Sequence, residues 1–97
     1  MANLPKELFV KTKKQKELFE KLYKIAKRKH WTDLHKEQWS ISVVSDIKTD
    51  EEFDKINKLL ATGTRKTEDI SFLAFNLKYK RQHPEYVKKH MPEIYNL

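Results

Sequence analysis

Thr12 and Thr49 each stand three residues ahead of a long polar side chain, Gln15 and Glu52. That spacing is the signature of a helix start. The threonine oxygen takes the N–H three residues on, and the long side chain reaches back to the threonine's own N–H. In each case apolar residues at helical spacing follow. The chain also holds a single glycine, Gly63, in 97 residues. Glycine-dependent hairpin turns and glycine-rich phosphate loops are therefore disfavoured. The expected fold is mainly α, a small helical bundle of three to five helices in one domain spanning 1–97.

The first capping box predicts a helix over 13–30. Leu18, Leu22, Ile25 and Ala26 share one arc with Phe19 at its edge. Lys13, Lys14, Lys16, Lys21, Lys24, Lys27 and Arg28 gather opposite, which makes the helix amphipathic. Glu17 and Glu20 precede Lys21 and Lys24 by four residues and are placed to pair with them. The second box predicts a helix over 50–62, with acids in its first turn and a buried stripe of Phe53, Ile56, Leu59 and Leu60. Gly63 then supplies the position after the cap.

Thr67 reads as the cap of a further helix through Gln82, and Pro84 as the start of a short one over 84–90. Residues 1–11 read as an arm and 92–97 as a tail. Thr32 reads as the cap of a short helix ending at Gln38. In 39–47 Trp39, Ile41 and Val43 alternate with serines, so one short strand or extended segment is expected near 39–45.

Several function classes fall away. With no cysteine, there are neither disulfides nor thiolate chemistry. The longest apolar run, Phe72 to Phe75, is far too short to span a bilayer, and MANLPKEL lacks the apolar core of a signal peptide. A cytoplasmic protein without membrane association is expected. His30 and His35, and His83 and His90, do not have the spacing of a zinc site. Asp50, Glu51, Glu52 and Asp54 are explained by the helix start that they occupy. No nucleophile elbow, P-loop or dinucleotide fingerprint occurs. The chain reads as non-enzymatic, with no cofactor and no metal.

Charge carries the remaining information. The net +7 is concentrated in residues 1–30, where ten Lys/Arg face three Glu. Residues 31–63 carry a net −3 (four against seven) and 64–97 a net +3 (seven against four). A basic third of this kind attracts phosphate or an acidic protein surface. The expected function is that of a small accessory or regulatory protein. It associates with DNA or RNA at low sequence specificity through Lys13, Lys14, Lys21, Lys24, Lys27 and Arg28. A helix-turn-helix is disfavoured because the helices beginning TDEEFD and TEDI present acids where a recognition helix meets bases.

The alternative is an adaptor or inhibitor that docks an acidic protein partner. It would use Phe72, Phe75 and Tyr79, which form a second apolar face on helix 67–82, with Lys78 and Arg81 alongside. If that second face is buried instead, the helix is the central element, held between helices 13–30 and 50–62.

Overall fold

The computed structural model describes residues 3–96. Both capping boxes close. The Thr12 hydroxyl accepts from the Gln15 N–H at 3.1 Å, and Gln15 Oε1 accepts from the Thr12 N–H at 3.0 Å. The pair opens helix α2 (Lys13–Ala26), which follows a single turn, α1 (Lys6–Phe9). The same exchange between Thr49 and Glu52 opens α4 (Asp50–Ala61). Gly63 follows this helix with φ +81°, a left-handed conformation that side chains resist, and so ends it.

Between these two lies α3 (Asp33–Asp46), where a strand was expected over 39–45. No strand occurs among the described residues. A wide buried arc explains the misleading pattern. Ile41, Val44 and Ile47 have no exposed surface and Val43 almost none, and with half-buried Trp39 they spread over more than half of the helix circumference. Its serines satisfy themselves. The hydroxyls of Ser40, Ser42 and Ser45 donate to the carbonyls of Lys36, Trp39 and Ser42, each at 2.8 Å. Serines bonded in this way need no sheet partner and sit in a helix interior at little cost. Thr32 caps α3 as expected, through the His35 N–H at 3.1 Å.

α2 ends at Ala26 rather than at residue 30. Beyond it, Arg28 and Lys29 bond back three residues instead of four, tightening the chain into the turn that leads to α3. α5 (Thr67–Gln82) has the expected bounds, but Thr67 is its buried first residue; Lys66 holds the cap position without a side-chain bond. α6 (Pro84–His90) follows, then the single turn α7 (Pro92–Tyr95), where a tail was expected. The expected arm likewise packs down. Leu4 exchanges two hydrogen bonds with the Gln38 amide, at 2.6 and 3.0 Å, and Val10 enters the core.

Side-chain bonds between helices fix their directions. Lys14 meets Asp50 and Lys21 meets Asn57, both 36 residues apart, so α2 and α4 run parallel. Trp39 meets Ser71 and Asp46 meets Lys78, both 32 apart (71 − 39 and 78 − 46), so α3 and α5 run parallel. Around the bundle the order is α2, α3, α5, α4; α3 packs on α1, α2 and α5, and α5 packs on α3, α4, α6 and α7. One end of the bundle collects the end of α2 and the start of α3. The opposite end collects the starts of α2 and α4 and the ends of α3 and α5.

Ile41 tests the placement of α3. Ile41→Ala should cost about 2–5 kcal/mol in urea unfolding, as expected for a fully enclosed side chain. A loss below about 1 kcal/mol would place Ile41 outside the core.

Candidate nucleic-acid interface

The α2 cations divide into two groups. Lys14 Nζ lies 2.7 Å from Asp50 Oδ1, and this hydrogen bond raises the lysine pKa above its ordinary value. Lys21 Nζ donates to Asn57 Oδ1 at 3.1 Å. Both therefore lean onto α4, whose first turn is acidic. Lys13, Lys24, Lys27 and Arg28 are exposed, and none has a carboxylate within 4.0 Å among the described residues. The expected pairs Glu17–Lys21 and Glu20–Lys24 do not close to that distance either.

Lys13 stands eleven residues from Lys24, about 16 Å along the helix. What remains together is a cluster of Lys24, Lys27 and Arg28 at the end of α2. Lys27 Nζ sits 5.5 Å from the Tyr23 ring centroid, and Arg28 lies on the turn beyond the last helical residue.

The aromatic face of α5 turns outward. Phe72 is 66% and Phe75 56% exposed, while Ile70, Ala74 and Leu77 on the other side are buried. α5 is thus not the sandwiched central helix; its inner face packs on α3 and α4 and its aromatic face meets solvent. Phe75 stacks on Tyr79 at 6.1 Å, and Tyr79 continues to His83 at 4.9 Å and to Tyr86 at 6.4 Å.

Lys78 is half-buried, with Nζ 3.7 Å from Asp46 Oδ1. Arg81 points inward instead of flanking the aromatics. One guanidinium nitrogen donates to Glu52 Oε1 at 2.6 Å, to Glu52 Oε2 at 2.8 Å and to the Asp46 carbonyl at 3.1 Å. These bonds hold it in the structure and remove it from any docking surface.

The structure adds aromatic residues that helical spacing on α5 did not single out. Trp31 stacks on His35 at 4.0 Å and meets Trp39 edge-on at 5.8 Å, at the end of the bundle where the α2 cluster stands. Tyr86 is 53% exposed and contacts His90 at 4.7 Å. The signal in the sequence was WTDLHKEQW, two tryptophans and a histidine at four-residue spacing, which requires a helix through Trp39 to become one cluster.

Among the described residues, no three His, Asp or Glu side chains converge as a metal site would require. No helix among them is long and apolar enough to cross a membrane. A hollow of about 290 Å³ between α4 and α5 is lined by Leu77, Tyr95 and charged groups; of these Lys55 pairs with Glu51, and Arg81 with Glu52. Comparison with protein families, with curated proteins and with solved structures finds no match.

Two measurements follow from this geometry. Phe75→Ala should change unfolding stability by less than about 0.5 kcal/mol, because the ring is mostly in solvent; a loss of 2 kcal/mol would show that it is packed. The second concerns Asp46. Burial raises its carboxyl above the ordinary value of 3.8, although Lys78, Arg81 and Lys48 pull the other way. The ionised form is then disfavoured in the folded state, so at neutral pH Asp46 costs stability. That cost is relieved as pH falls through the raised pKa. The stability of the native protein relative to Asp46→Asn should therefore rise between pH 7 and pH 4. A difference that stays flat or falls would contradict it.

Proposed function

We propose that this chain is a small non-enzymatic accessory protein that associates with nucleic acid at low sequence specificity, through the basic end of α2. The observation that carries this reading is the cluster of Lys24, Lys27 and Arg28, exposed and without an acidic partner among the described residues. The acidic first turn of α4 supports the same reading by its position. It lies beside the start of α2, where it occupies Lys14, and leaves the far end of α2 positive. Lysines on a helix flank hold phosphates and seldom read base edges, which is why sequence discrimination should be weak.

Three phosphate contacts give a slope of log K against log salt near about −2.7, a loss of roughly 40-fold in affinity between 50 and 200 mM salt. Replacing Lys24, Lys27 and Arg28 together with glutamine should remove most of that slope. Lys14→Gln with Lys21→Gln should alter affinity by less than about threefold, because both are engaged by α4. Fluorescence anisotropy with a mixed-sequence duplex, single-stranded DNA and RNA measures all of these. No binding to any of the three at tens of micromolar protein defeats the reading.

The exposure of Phe72 and Phe75 favours one second reading, an adaptor or inhibitor that docks an acidic protein partner on α5. A pull-down from native lysate that survives nuclease treatment and is lost in Phe75→Ala would put that reading first.

A further inference from the structure

Exposed and half-buried rings line up on the surface. Trp31 and His35 stand beside the α2 cluster, and Trp31 touches Trp39. The Trp39 Nε1–H donates to Ser71 Oγ at 2.8 Å, which ties that group to α5. One turn along α5 from Ser71 comes Phe75, followed by Tyr79 and, across the α5–α6 joint, Tyr86. Because α3 and α5 run parallel, the Trp31–Trp39 group and the Phe75–Tyr79–Tyr86 group lie one after the other along the bundle, joined across the α3–α5 seam by the Trp39–Ser71 bond. Cations mark both ends, Lys27 and Arg28 at the first and the exposed Lys88 and Lys89 at the second.

From this arrangement we infer that the seam is a single-strand track: unpaired bases of DNA or RNA stack on Trp31–His35, Phe75 and Tyr86 while the basic ends hold phosphates. The inference rests on the nucleic-acid reading above and names the form of nucleic acid that it takes. Charge complementarity selects the occupant. A chain of net charge +7 repels a second copy of itself, whereas a phosphodiester strand is attracted to both ends of the row. Ring faces select the form. In a duplex the base faces are already stacked on one another, and only an unpaired strand offers them to aromatic side chains. Bases of every kind have such a face, in keeping with low sequence discrimination.

Anisotropy at 50 mM salt with a labelled oligothymidine of about 12 nucleotides, within the usual length of single-strand sites, against a duplex of equal length tests the track. The oligothymidine should bind at least about tenfold more tightly than the duplex. Phe75→Ala and Tyr86→Ala should each weaken that binding about fivefold or more, near the low end of what one stacked base contributes. Their unfolding midpoints should stay close to that of the native protein, since both residues are more than half exposed.

Equal affinity for strand and duplex, or strand binding untouched by both variants, overturns the track and leaves phosphate binding by α2 in place. No binding of either probe at tens of micromolar overturns both. A dimer in sedimentation that Phe75→Ala dissolves, or a photo-crosslink from position 75 to protein after nuclease treatment, gives the face to another occupant and overturns the track as well.

Discussion

Glu52 is the point on which three helices close. Its carboxylate is buried, and Oε1 accepts the backbone N–H groups of Lys48 and Thr49 at 2.7 and 3.0 Å, completing the start of α4. Arg81, near the end of α5, donates to both of its oxygens and to the carbonyl of Asp46 at the end of α3. One guanidinium nitrogen thus answers an orphan carbonyl at a helix C-terminus and a carboxylate at a helix N-terminus, the two polarities that the helix dipoles favour. The pair is costly to break, because without Arg81 the buried Glu52 carboxylate would keep only its backbone N–H partners and no compensating charge.

The surface follows from that closure. With the ends of α3 and α5 held to the start of α4, the parallel contacts along α3–α5 and α2–α4 stay in register. α4 then lays its acidic first turn beside the beginning of α2, where it engages Lys14, and the positive charge that remains is at the other end. The same register keeps the inner face of α5 against α3 and α4, so Phe72 and Phe75 have no helix left to cover them. The separation of a basic end from an exposed aromatic seam is thus a consequence of how the bundle is closed.

Elements whose signal is local were legible in the sequence. α2 and α4 carry a capping box, a single apolar arc and, for α4, a terminating glycine, and each of these signals acts within a few residues. α3 was not legible because its environment is tertiary. Ile41, Val43, Val44 and Ile47 are all drawn into the common core over a wide arc, and serines bonded to their own helix imitate the polar positions of a strand. The outer turns α1 and α7 fold only against other elements, through Leu4–Gln38 at one end and, at the other, the Tyr95 ring 5.1 Å from Lys80. At the candidate site, exposure of Lys24, Lys27 and Arg28 followed from their arc alone. The engagement of Lys14 and Lys21, and the inward turn of Arg81, depended on α4, whose place beside them no spacing encodes.

A double-mutant cycle between Glu52→Gln and Arg81→Gln, read by urea unfolding, tests the closure most directly. If this pair holds α4 to α5 and α3, the two substitutions are strongly non-additive, with a coupling of about 1.5–3 kcal/mol, toward the upper part of the range for residues in one charged network. A coupling below about 0.5 kcal/mol would mean that the two side chains act independently, and that the bundle is closed by something else.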